Sequence, residues 1–152
     1  MNPPTPETCE QCSRVIYLEQ EARRAHERIR TIIEYATCGV VMLDEGARIL
    51  YVNRYVSEAL GYDLSELENR SVFDFVHPNE TRLRRMLFEK TLTQPGQLRD
   101  RGYARLKSKA GIWILLGIRV LNLLHDANVG VIIAYATDES AQMGRYYGNS
   151  NG

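Results

Sequence analysis

Cys9 and Cys12 are the residues of this chain whose spacing best suits metal chemistry. Two thiolates three positions apart make half of a tetrahedral zinc site. The third and last cysteine, Cys38, stands alone, so the chain does not supply a second pair. A parallel dimer would bring two Cys9–Cys12 pairs together and offer four thiolates to a shared metal. The competing reading is a pair of free or redox-reactive surface thiols. No histidine follows Cys12, so the pattern for covalent c-type haem attachment is not met. The histidines are His26, His77 and His125, far apart in sequence. Arg82, Arg84 and Arg85 form a basic cluster whose simplest reading is a solvated helix face. A phosphate-binding glycine loop, a nucleophile elbow, a His-Glu metal motif and a paired-carboxylate signature are all missing from the sequence. With no catalytic constellation to assemble, the chain is read as a non-enzyme.

The elements that would position these groups fit one domain. The chain has 152 residues, 44% hydrophobic and 25% charged, which are soluble globular values. Nineteen Lys and Arg balance nineteen Asp and Glu. That balance gives no electrostatic case for a nucleic-acid partner or a polybasic membrane patch. The longest apolar stretches, 112–118 and 129–136, fall far short of the roughly 20 residues of a membrane-spanning helix. No basic start followed by an apolar run marks a signal peptide, and three cysteines suggest no disulfide framework. A reducing cytoplasm is the expected compartment.

Residues 1–12 hold three of the five prolines and read as irregular. From 13 to 38 the pattern is helical. Val15, Leu18, Ala22, Ala25, Ile29, Ile32 and Ala36 recur at alternating spacings of three and four, the a/d seam of a coiled coil. In a parallel pair, Arg14 (g) would face Glu19 (e) of the other copy, an attractive contact, and Glu21 would face His26. The alternative is an amphipathic helix lying on its own domain.

From 39 the period becomes that of strands. Residues 39–43 and 48–52 flank Asp44-Glu45-Gly46, a turn with a glycine available for positive φ. Asn53 is expected to cap a short helix over 54–60 and Gly61 to end it. A turn around Leu64 and Leu67 and a compact aromatic stretch over 71–76 follow. Pro78 suits the first position of a helix over 78–92, with Leu83, Met86, Leu87 and Thr91 on one face. Three strands with hairpin turns complete the domain, over 98–108, 112–124 and 129–137, and 139–152 reads as a polar tail. The last two strands are apolar on both faces and so must be covered on both. The N-terminal helix, or a partner's copy of it, is the candidate cover for the outer face.

Two aromatic residues, Phe73 and Phe75, would meet Leu83, Met86 and Leu87 of the helix and Ile114, Leu116 and Ile118 of the strand. Such an apolar set could line a small-ligand pocket or simply fill a core, and the filled core is preferred.

The residues Tyr51-Val52-Asn53, Ala59-Leu60-Gly61-Tyr62, Leu64-Ser65-Glu66-Leu67 and 69–78 (NRSVFDFVHP) closely resemble the PAS family. The stretch 105–113 (RLKSKAGIW) resembles its penultimate hairpin, and Ala136-Thr137-Asp138 its ending. The last motif departs from the family's Asp-Ile-Thr, reading Asp138-Glu139-Ser140. The resemblance covers 39–138. It implies an α+β fold, with a five-stranded antiparallel sheet in order 2-1-5-4-3 and short helices on one face. It also implies a sensory or dimerisation role in signal transduction, as a homodimer feeding a histidine kinase or a transcription factor. A haem- or flavin-bearing redox or gas sensor is the alternative. Haem-binding members carry an axial histidine in the long helix, and 78–92 has none. Light-sensing members place a reactive cysteine among the short helices, whereas Cys38 precedes the first strand. No cofactor is therefore expected. His77 reads as structural and Cys38 as a small buried hydrophobe.

Overall fold

The computed structural model describes residues 6–140, with side chains from residue 9 onward. The chain divides after Glu34 into two compact units.

The first unit is one helix, α1, Pro6–Glu34. It begins seven residues before the expected start, so Cys9 and Cys12 are helical and the irregular reading of 1–12 is corrected from residue 6 onward. A proline is tolerated in a first turn, where its missing N–H has no partner to lose. The helix also stops earlier than expected. Ala36, placed at the end of the seam, lies beyond the helix and is half-buried in the second unit.

The second unit is built on a five-stranded sheet. Its elements are β1 (Gly39–Leu43), β2 (Ile49–Val52), α2 (Arg54–Leu60), α3 (Leu64–Leu67), a 3-10 turn (Val72–Phe75), α4 (Thr81–Leu92), β3 (Leu98–Lys107), β4 (Trp113–Asn122) and β5 (Ile132–Asp138). The strand order is β2-β1-β5-β4-β3, and every pair of named strands is antiparallel. This is the order the resemblance implies.

Register assigns the faces. Gly39, Ala136 and Ile118 form one row, and Val41, Ala134 and Val120 the next. These rows face the helices and carry the core with Val56, Leu60, Leu67, Phe73, Phe75 and Leu106. The opposite face carries Val40, Tyr135 and Arg119, then Met42, Ile133 and Leu121.

Local chemistry explains most joints. Asn53 is fully buried. Its Oδ1 accepts from Val40 N (3.0 Å) and Val56 N (3.4 Å), and its Nδ2 donates to the Cys38 carbonyl (3.0 Å). One side chain thus caps α2 and fastens it to the start of β1. Gly61 ends α2 at φ 78°. In the β1–β2 turn the expectation fails in detail. The left-handed residue is the fully buried Ala47 (φ 62°), not Gly46. Asp44 Oδ1 accepts from both Gly46 N and Arg48 N, and this Asx turn sets the chain's course. Pro78 also departs from expectation, lying in a turn before α4. His77 organises that turn. Its Nδ1 accepts from Asn79 N, and its carbonyl accepts from Glu80 N and from the Thr81 hydroxyl.

Candidate functional site

The face of α4 that meets the sheet is set by Arg84, Leu87, Phe88 and Thr91, a spacing of three, one and three that keeps them on one side. Leu83 and Met86, expected in the lining, are instead 46% and 59% exposed. The helix is turned so that an arginine takes an inward position that apolar counting assigns to a leucine. Its stem is apolar enough to cover core surface while its head reaches the edge.

Beneath α4 lies a cavity of about 90 Å³. Phe73, Leu87 and Ile118 line it. So do Leu106, Val120 and Ala134, with Thr91 and two residues not anticipated there, Arg84 and Arg101. A second cavity of about 60 Å³ lies beside it, lined by Phe75, Leu116 and Ile118 among others. The two share Leu43, Val72, Leu106, Ile118 and Ala134. Ile114 packs against the core but lines neither.

Arg101 reaches the site because β3 is bulged. Register shifts between Asp100 and Tyr103, with Gly102 at φ 70° and its N–H donated to Asp100 Oδ1. A local signal existed in Asp100-x-Gly102, an aspartate that can bond the backbone two residues on. The bulge turns the carbonyls of Arg101 and Tyr103 toward α4, where Arg84 donates to both. Arg101 donates from Nε to Thr91 Oγ1 (3.1 Å) and from Nη2 to Gln94 Oε1 (2.7 Å). Burial pushes the Arg84 guanidinium pKa down, opposed by the charge of Glu80. Glu80 itself is held by Arg105, through the Arg105 N–H (3.0 Å) and guanidinium (3.4 Å). The far end of α4 is fixed by buried Asn122, whose Nδ2 donates to the Thr91 and Leu92 carbonyls.

Neither cavity lining contains a His, Cys, Met or Tyr, so no residue there could ligate a haem iron. His77 lies outside both linings and packs on Trp113 with ring centroids 4.5 Å apart. Cys38 is half-buried ahead of β1. Cys9 and Cys12 are exposed on α1, one turn apart. Relative to the seam they occupy heptad positions b and e, a flank rather than the contact line. Among the described residues no group of three or more metal-ligating side chains comes together. Nor is any helix among them long and apolar enough to cross a membrane.

Of the seam residues on α1, Val15 (54%), Leu18 (56%), Ile29 (59%) and Ile32 (65%) are exposed, as are Ala22 and Ala25.

No curated protein matches the chain. Among solved structures, the chain is similar to the PAS domain of an HTR-like protein from Haloarcula marismortui. The TM-score is 0.69 at 19% identity, covering 80% of this chain and 98% of that one. It is also similar to a domain of a sensory box sensor histidine kinase/response regulator from Geobacter sulfurreducens, with TM-score 0.60, 18% identity, and 81% and 96% coverage. A third similar structure is the PAS domain of the RpfR quorum-sensing receptor from Cronobacter turicensis in complex with BDSF. Its TM-score is 0.57 at 22% identity, with 70% and 98% coverage. At these identities the likeness establishes the fold. A family model described as PAS fold matches residues 27–116, more than half the chain. With sheet order, helix placement and that match in agreement, the chain belongs to the PAS family.

Proposed function

We propose that this chain is the sensory and dimerisation module of a signal-transduction protein, in which two copies pair in parallel through α1. A small ligand in the cavity beneath α4, or a partner protein, would bias the geometry of that pair. A signal of this kind shifts a two-state packing equilibrium and makes no bonds. The observation that carries the reading is the exposed a/d row of α1, whose four large aliphatic side chains are each more than half exposed. The occupant that fits this row is a second copy of the chain, because Arg14 and Glu19 then face each other across the seam. The Geobacter neighbour, a domain of a sensor histidine kinase, supports a kinase as the receiver of the signal, and a transcription factor is the other receiver this family role suggests.

Sedimentation equilibrium of the whole chain tests the pairing. The wild type is expected as a dimer, and a Leu18→Glu, Ile29→Glu double variant as a monomer with unchanged β-sheet circular dichroism. A wild type that stays monomeric at high concentration, or a variant that pairs as tightly, refutes the seam.

A further inference from the structure

We propose that Cys9 and Cys12 bind one soft monovalent metal ion per chain, of the Cu(I) class, as a two-coordinate bis-thiolate on the surface of α1. The assignment lies outside the sensory reading above and stands or falls without it.

Spacing gives the first argument. Both cysteines are free and exposed, and both lie within the continuous helix Pro6–Glu34. Residues three apart on a helix share a face, with Cβ atoms about 5–6 Å apart. A disulfide needs its Cβ atoms at about 3.8 Å, so an S–S bond does not close across an intact turn. A bridging ion fits the gap better. Metal–thiolate bonds of about 2.3 Å hold two sulfurs about 4–4.6 Å apart, within reach of side chains one turn apart.

Ligand number gives the second. Among the described residues no third His, Cys, Asp or Glu joins the pair. The positions that follow on the same side of the helix are Ser13, Val15 and Ile16, of which the last two are apolar and exposed. Zinc takes four ligands, and calcium and magnesium take oxygen. Thiolates select soft ions, and Cu(I) is the one that two thiolates satisfy. Binding exchanges two thiol protons for one Cu(I) and leaves a bis-thiolate with one net negative charge. Cys9 closes the first turn of α1, where the helix macrodipole favours that sign.

Placement gives the third. Heptad positions b and e keep both sulfurs off the contact line of a coiled coil, so the pair stays open whether or not two chains associate. In a parallel pair the b positions face away from the other copy. That favours one site in each chain over a four-thiolate site shared between copies.

Anaerobic titration of the whole reduced chain with Cu(I), in competition with a colorimetric Cu(I) chelator, tests the assignment, with Zn(II) titrated in parallel. One Cu(I) per chain is expected, bound at least 100-fold more tightly than Zn(II). Cys9→Ser and Cys12→Ser should each weaken Cu(I) binding at least 100-fold, while Cys38→Ser should leave it within twofold. One metal per two chains, Zn(II) bound as tightly as Cu(I), a Cys9→Ser or Cys12→Ser variant within tenfold of wild type, or loss of binding in Cys38→Ser each overturn the proposal. A chain that binds one Cu(I) and sediments as a monomer supports the metal site while refuting the dimer.

Discussion

Replacing Asn53 with alanine should cost about 3 kcal/mol or more, far beyond an ordinary polar deletion. The magnitude follows from what the amide does. Val40 N–H is buried and donates to Asn53 Oδ1, so truncation strands a buried donor. Stranding such a group costs about 1–3 kcal/mol. Losing the N-cap acceptor for Val56 N adds about 1 kcal/mol. The Cys38 carbonyl loses its donor, at about 1 kcal/mol. Urea unfolding followed by the fluorescence of Trp113, the single tryptophan, gives the free energy and the slope together. The alanine variant should unfold at a lower urea concentration with an unchanged slope. An alanine variant within about 1 kcal/mol of wild type refutes the reasoning.

Gly39 to alanine tests close packing. A Cβ there would meet Val56 Cγ2 at 2.7 Å and the Ala136 carbonyl at 3.0 Å. Overpacking costs about 1–3 kcal/mol, against about 0.4–1 kcal/mol gained from a stiffer unfolded chain. A net loss in urea midpoint is expected, and a gain would show that α2 can retreat from β1. Glu66→Gln tests a pH dependence. The hydrogen bond from Lys109, helped by the Asp63 N–H, holds the Glu66 carboxyl below its usual range. Because its folded pKa is depressed, its contribution is present above the unfolded value of about 4.3 and is lost as pH falls through the folded value. Urea midpoints at pH 6 and pH 3 should therefore differ less in Glu66→Gln than in wild type; an equal difference removes Glu66 as a source of the acid sensitivity.

Much of the fold was legible in the sequence because its signals are local. Asn53 and Gly61 bracket α2 as their side-chain chemistry dictates. Gly111, at φ 83°, closes the β3–β4 turn, where Ser108 N–H donates to the Ile112 carbonyl. The misreadings have one physical origin, which is tertiary context overriding a local preference. Ala47 adopts a left-handed backbone beside an available glycine, because Asp44 fixes the turn around it and its methyl is wanted in the core. Apolar counting chose Leu83 and Met86 for the inner face of α4, but β3 offers two carbonyls that only a long donor such as Arg84 can reach. Those carbonyls are presented by a bulge on another element, information that no window along α4 contains. The cavity's apolar floor was therefore foreseeable from Phe73, Leu87 and Ile118, while its charged edge was not.

The register places Gly39, where the polypeptide joins the sheet, opposite Ala136, two residues before it leaves. Adjacent strands lie about 4.8 Å apart. The Asp138 N–H is further tied to the Tyr55 hydroxyl at the opening of α2 (2.8 Å). Incoming and outgoing threads therefore share a single doorway. The two ends of the sheet are thus one ladder rung apart, joined without crossing the body of the domain.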